Sequence, residues 1–359
     1  MGLFRKEKKP ESTAQAVSVP QTMDRYANMT QYFSGELFEN LRKNVPIIDA
    51  AIERLIRLIG EFTVKTDDIN TDRLLENLFD TINIGGTSCG INSFTTQYLD
   101  RLLTYGTAIC EIVPTTDYKN IALYIANPRS VTLKRNKQKP LNIDIYSRDT
   151  GGEKRVKNPN LIRISTLNPK PDSLYGTSIL EGLPFVSSIL MNIFDAVGKN
   201  WERAGNIRYS VNYKPQDDAM DNQKAREKAQ QIATSWADAM GSHEVKDFVS
   251  VGNIEIKVIG SDSKILDSEV PVRQCLEQII AKIGIPPFLL GLSWSATERM
   301  ATMQADLLTS EIEAYRRILT PVIIHIAKTF LRMRGFERDI KLNWNDITNL
   351  DAQGGLNEQ

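Results

Sequence analysis

Residues 279–299 read IIAKIGIPPFLLGLSWSATER, and this stretch decides how the chain is organised. Ile279, Ile280 and Ile283 form the apolar tail of a helix that ends at Gly284, a residue type suited to helix stops. Pro286 and Pro287 then restrict the backbone. Phe288 to Leu290 carry apolar character across the turn, and Gly291 opens into small polar residues around Trp294. The pattern predicts a stiff joint between two helices. Pro286, Pro287, Phe288, Leu289 and Gly291 are expected to anchor a loop, with Phe288 and Leu289 packed inward. Ser293, Trp294, Ser295, Ala296 and Thr297 form its tip, small and uncharged around one aromatic ring.

Outward from the joint, residues 298–334 carry the longest helical pattern in the chain. Met303, Leu307, Ile312, Tyr315, Leu319, Val322, Ile326 and Phe330 read as one face, and at ~1.5 Å per residue the helix would span about 50 Å. Pro321 falls inside it and is expected to kink it. On the other side a helix covers about 268–283. Before that lies a compact β–α–β–β segment of roughly 55 residues, whose own core would be marginal. Its strands are IRYSVNYK and DFVSVGNIEIKVIG, with a polar helix over 217–240 between them. Preceding it, LYGTSILEGLPFVSSILMNIFDAVGKNWERAGN is helical from about Ser178 to Ala204. Two helices thus flank a small head, a stalk inserted into a larger body.

The body is mixed helix and strand, an α+β class. Residues 1–39 read as a flexible arm. Val45, Ile48, Ile52, Leu55 and Ile59 recur at helical spacing, followed by helices at 71–80 and 91–105. GTAICEIVP, IALYIANP, SVTLKRN, LNIDIYSRDTGGEKRVKN and LIRISTL read as strands and hairpins. Nine Lys/Arg stand against three Asp/Glu between Arg129 and Lys157, which reads as a solvated hairpin face or as a contact for an acidic partner. DIKLNWND is a last strand, and residues 346–359 read as a disordered tail.

Composition narrows the function. The 359 residues carry 44 Lys+Arg and 44 Asp+Glu, so the net charge is zero. A chain that grips nucleic acid carries a basic surplus, so contact with DNA would be local or passing. Cys89, Cys110 and Cys275 lack metal-ligand spacing and suit a reducing compartment. No stretch approaches the ~20 apolar residues of a membrane span. Gly86-Thr87-Ser88-Cys89-Gly90 matches G-x-S-x-G, but a nucleophile elbow needs a preceding strand and a positioned base. Only His243 and His325 exist, and neither is placed for it, so the stretch reads as a glycine-rich loop between helices. No phosphate-binding loop, zinc pair or calcium loop appears. No catalytic, cofactor or metal site is expected.

LYGTSILEGL (174–183), NWERAGNIRYSV (200–211), IIAKIGIPPFLLG (279–291) and, in the long helix, LTPVI (319–323) together resemble the portal proteins of tailed bacteriophages. The branch is the one associated with the common tailed-phage capsid fold. The blocks occur in the family's order over about residues 40–345. The resemblance implies a homo-oligomeric ring, usually of twelve copies, at one capsid vertex, through which double-stranded DNA is packaged and ejected. It implies a wing at 40–184, stem helices at 185–204 and 266–284, a clip at 205–265, a tunnel loop at 285–299, and a long kinked helix returning to the wing at 300–345. A C-terminal crown is not expected. It further implies docking of the terminase large subunit and a head–tail adaptor on the clip, for which Lys224 and Lys228 offer a polar face. The major capsid and scaffolding proteins would be further partners, with assembly in the host cytoplasm and a final place in the virion. A ring-forming adaptor or scaffold that passes no DNA is the rival reading.

Overall fold

The computed structural model describes residues 35–116, 118–139, 141–149, 152–171, 173–205, 208–213, 226–227, 229–234, 254–259, 267–292 and 298–347. Two compact units are present. Ser188–Cys275 forms the smaller, and the segments on either side form the larger.

The larger unit opens with α1 (Gly35–Asn44) and α2 (Pro46–Arg57). Phe38 and Leu41 of α1 are buried, so residues 35–39 belong to the body and not to the expected arm. Strand β1 (Phe62–Lys65) precedes α3 (Ile69–Thr81), whose cap is the Asp68 carboxylate accepting from the Asn70 and Thr71 amides. Two-residue strands β2 (Asn83–Ile84) and β3 (Ser88–Cys89) lead into α4 (Ile91–Tyr105). Then come β4 (Thr107–Pro114), β5 (Ile121–Ala126), β6 (Val131–Arg135), β7 (Ile143–Asp149), β8 (Gly152–Arg155) and β9 (Ile162–Thr166).

Five of these strands make one sheet, in the order β3-β2-β5-β4-β9. Strand β4 lies between β5 and β9 and is antiparallel to both, with Cys110 opposite Ile125 on one side and Arg163 on the other. Helix α4 packs on it: Phe94, Tyr98, Leu99 and Leu102 are fully buried. The Tyr98 hydroxyl lies 2.9 Å from the Ser165 hydroxyl and 3.2 Å from the Ala108 carbonyl, within hydrogen-bond reach of both, satisfying a polar group that burial would otherwise penalise. The second sheet, β6-β7-β8, shares a smaller core with the first through Ile109, Val131, Leu133 and Ile145. Its outer charges pair across strands: Lys134 and Arg148 with Glu153 at 2.5 and 3.4 Å, Arg155 with Asp144 at 2.5 Å. Part of the basic surplus of this hairpin region is therefore neutralised in place, which favours the solvated-face reading.

Around Gly106 and Gly176 two backbones cross. Gly106 ends α4 at φ 74°, and its carbonyl accepts from the Leu167 amide at 2.8 Å. The Gly176 amide donates to Thr107 Oγ1 at 2.9 Å, and the next amide, of Thr177, donates to the Leu167 carbonyl at 2.6 Å. A Cβ on Gly176 would stand 2.0 Å from the Gly106 carbonyl oxygen. The segment LYGTS is thus a backbone crossing that only glycine permits. Beside it, Tyr175 accepts from the Leu133 amide at 2.8 Å and ties the crossing to the second sheet.

Helix α5 (Leu183–Gly205) starts five residues later than the sequence pattern suggests. Pro184 explains this: it suits a first helical turn and not an interior. Within the smaller unit, β10 (Arg208–Tyr213) pairs antiparallel with β11 (Ile254–Ile259), Val211 opposite Ile256. Residues 229–234 are helical, as expected for the intervening polar helix. The 247–253 half of the expected hairpin lies outside the described residues. Helix α6 (Glu269–Ile283), a 3-10 turn (Pro287–Leu290), α7 (Glu298–Met333) and β12 (Lys341–Trp344) complete the chain. Strand β12 returns to pair antiparallel with β1, Trp344 opposite Phe62.

Candidate functional site

The joint between α6 and α7 is built from local backbone geometry. The Gly284 amide closes α6 onto the Ile280 carbonyl at 2.9 Å. Ile285, 2% exposed, and the buried Pro286 follow. The tight turn from Pro287 is held by Leu289 N–H to Pro286 O and Gly291 N–H to Phe288 O, both 3.1 Å, and Gly291 adopts φ 74°. The turn lies beside α2. Burial falls on Ile285 and Pro286, whereas Phe288 is 37% exposed and Leu289 half-buried. The expectation that Phe288 packs inward is therefore corrected: in so tight a turn not every apolar side chain can be covered, and the buried ones are Ile285 and Pro286 just before it. The predicted tip, Ser293, Trp294, Ser295, Ala296 and Thr297, lies outside the described residues. So do Lys224 and Lys228.

Helix α7 runs unbroken for 36 residues through Pro321, about 54 Å at ~1.5 Å per residue. The proline ring has no N–H for the Arg317 carbonyl one turn back, and both residues are exposed. The neighbouring Thr320 hydroxyl donates to the Arg316 carbonyl at 2.7 Å and accepts from Trp344 Nε1 at 3.0 Å. Arg316 is 8% exposed. Its Nε and Nη2 both donate to the Ile59 carbonyl just beyond α2, at 2.9 and 2.7 Å, and its guanidinium stacks 5.2 Å from the Trp344 ring. Burial lowers its pKa, while Glu313 and Asp346 act in the opposite sense. Phe62 meets Trp344 edge-on at 5.1 Å. These contacts join α2, α7 and the β1–β12 pair. Arg42 makes a second junction, pairing with Asp49 at 2.7 Å and Asp100 at 2.6 Å. Burial disfavours its charge, but the two carboxylates more than offset this and raise its pKa.

The core stripe of α7 is narrower than the sequence pattern. Ile312, Leu319, Val322, Ile326 and Phe330 are buried, but Met303 is 61% and Leu307 70% exposed. At 100° per residue those two lie roughly 140° around the helix from the Ile312–Leu319–Ile326 line, so α7 has two apolar faces. Helix α5 also exposes Met191, Phe194 and Trp201, at 46, 53 and 62%.

Ser88 of G-x-S-x-G sits on β3 in a tight hairpin, not in a plain helix-to-helix loop. Its Oγ accepts from Gln97 Nε2 at 3.3 Å, and it lacks the positive φ of a strained elbow. Ser88→Ala is expected to leave folding and assembly unchanged, and purified protein to show no esterase turnover that depends on this serine. His325 is half-buried on α7, 3.1 Å from the Asn160 carbonyl. Burial and then Arg163 lower its pKa, so it is a neutral packing residue near pH 7. Two clefts of about 250 and 240 Å³ lie around Arg316 and Arg42, lined by charged side chains. Both fall below the usual size of small-molecule sites, roughly 300–1,000 Å³. Among the described residues no cluster of metal-ligating side chains occurs, and no helix is long and apolar enough to cross a membrane.

No family model matches the sequence, and no curated protein is similar to it. Solved structures are similar in fold. A chain in the virion of the native gene transfer agent (GTA) particle superposes with a TM-score of 0.63 at 13% identity, over 90% of this chain and 87% of that one. A chain in the neck of the native GTA particle, computed with C12 symmetry, gives 0.56 at 14% identity, over 87% and 86%. A crystal structure of an HK97 family phage portal protein from Corynebacterium diphtheriae matches at 14% identity over 86% and 95%, but its TM-score of 0.45 adds nothing to the assignment. The chain thus shares its fold, over about nine-tenths of its length, with chains of the GTA virion and neck. The portal resemblance of the sequence blocks is borne out at that level.

Proposed function

We propose that this protein is a portal: a ring at one vertex of a phage capsid that conducts double-stranded DNA during packaging and ejection. The observation that carries the reading is the fold shared over about nine-tenths of the chain with chains of the GTA virion and neck. The neck of the native GTA particle was computed with C12 symmetry, which is in keeping with a twelve-copy ring here. The exposed apolar residues of α5 and α7 support assembly, since a monomer gains nothing by leaving them in water. A neutral chain also suits a conduit. Each phosphate neutralised by Lys or Arg adds affinity through counterion release, and a ring that held DNA tightly could not let it slide.

On this reading the wing is 40–184 together with the returning segment 300–345, the stem is 185–204 and 266–284, and the clip is 205–265. The clip presents Lys224 and Lys228 to the terminase large subunit and later to a head–tail adaptor. The major capsid and scaffolding proteins surround the wing, with assembly in the host cytoplasm. Ser293 to Thr297 form the tunnel loop, and the Pro286–Pro287 joint sets the direction in which they leave the stem. Electron microscopy of the purified ring tests the function: B-DNA needs a channel of ~20 Å, roughly a major plus a minor groove. A closed or much narrower channel would instead favour a ring-forming adaptor without DNA passage. Deleting Ser293–Ala296 is expected to leave rings intact and terminase bound while DNA packaging or retention fails. Normal packaging would remove the tunnel-loop assignment.

A further inference from the structure

We infer that the second apolar face of α7, centred on Met303 and Leu307, docks onto a different face of a neighbouring copy of this chain. The inference rests on the ring reading above. The two residues stand one turn apart on the helix, 61 and 70% exposed, and Met300, half-exposed, lies on the same side. They do not continue the core stripe. That stripe is complete with Leu308, Ile312, Tyr315 and Leu319, all buried. A helix needs one apolar face to hold it to its own core, so a second face has another use.

The occupant follows from symmetry. If the two stripes met each other across a two-fold axis, assembly would stop at a dimer. A ring of higher order needs a heterologous contact, in which one patch meets a different patch of the next copy. The protomer has such a second patch: Phe194 and Trp201 on α5 are 53 and 62% exposed and two helical turns apart. Side chains of this size and shape suit the buried centre of an interface, where a few large apolar or aromatic residues carry most of the binding energy. Methionine adapts to imperfect partner surfaces, which suits a contact repeated around a ring.

The experiment uses the full chain. Light scattering after size exclusion is expected to show a ring for the wild type. Met303→Glu with Leu307→Glu should reduce it to the 40.5 kDa chain or small fragments of the ring, with the helical circular dichroism retained. If that pair loses helicity, Met303→Ser with Leu307→Ser gives the reading instead. In a Cys89→Ser, Cys110→Ala, Cys275→Ala background, Leu307→Cys should react with maleimide at least tenfold more slowly in the ring than in chain dissociated by urea, and should form no disulfide with itself. Rings of unchanged mass from the substituted pairs would overturn the inference and leave the ring reading standing. Self-disulfide in high yield would overturn the heterologous contact. A wild type that stays monomeric at every concentration and salt would overturn both readings.

Discussion

Replacing Gly176 with alanine is expected to cost about 4 kcal/mol or more and to leave little soluble protein. The added Cβ would stand 2.0 Å from the Gly106 carbonyl oxygen and 2.5 Å from both the amide nitrogen and the carbonyl oxygen of Leu167. Every one of these atoms is backbone, so no side chain can rotate away. Overpacking of a core by a methylene costs ~1–3 kcal/mol even where side chains yield. Here the crossing must also part, which strains or breaks the bonds Gly176 N–H to Thr107 Oγ1, Leu167 N–H to Gly106 O and Thr177 N–H to Leu167 O. Each is worth about 1 kcal/mol net and more when a partner is left buried and unsatisfied. The melting temperature should fall by about 10 °C, at ~2–4 °C per kcal/mol for a unit of this size. Gly198→Ala on α5 is the control: a Cβ there meets nothing within 4 Å, and helix propensity predicts a gain of roughly 0.5–1 kcal/mol. Equal melting temperatures for the two variants would refute the crossing as the source of the effect.

Arg316→Met should destabilise the larger unit by about 3 kcal/mol. The change keeps most of the aliphatic stem and removes only the charged fork. Lost with it are both bonds to the Ile59 carbonyl, at 2.9 and 2.7 Å. Hydrogen bonds from a charged donor contribute ~1.5–3 kcal/mol, and a desolvated cation over a tryptophan face adds ~0.5–2. Arg316→Lys should fall between, because an ammonium is a point donor and cannot reproduce the planar stack over Trp344. Urea unfolding followed by tryptophan fluorescence would rank the three. Limited proteolysis should find the segment near Trp344 cut faster in the Met variant, since the ring loses the cation that it stacks on. A Lys variant as stable as the wild type would show that charge alone, without the fork, holds this junction.

Elements with sharp local punctuation were legible in the sequence. Helix α4 has the expected bounds, 91–105, because Gly90 and Gly106 mark its ends and both adopt positive φ. Strands β4 and β5 fall on the β-rich runs that lead to prolines, and β6, β7 and β9 on the alternating stretches after them, while α7 follows its long 3.6-residue period. What escaped depends on contacts far apart in the chain. Residues 62–65 carry no strong strand signal, and they form β1 only because β12 arrives to pair with them. The hairpin of β2 and β3 is two residues deep and is fixed by β5 alongside. The joint was legible as a turn, but not which of its apolar residues would be buried. On α7, Met303 and Leu307 fit the period loosely enough to be counted with the core, and only their exposure separates the two faces. Gly176 reads as an ordinary glycine until Gly106 is seen across from it.

The pairing of β1 with β12 has a consequence for the order of events at the ribosome. Lys65 pairs with Lys341, so the two partners are separated by 341 − 65 = 276 residues of chain. At about 5–20 residues per second, synthesis leaves β1 waiting roughly 14–55 s for its partner. The Arg316 junction comes late for the same reason. During that interval the first body segment exists without its closing strand, with Phe62 lacking the Trp344 ring that meets it edge-on, while the whole of Ser188–Cys275 is being made. A chaperone that holds nascent chains would find its substrate there, and translation that slows after residue 65 would lengthen the exposure.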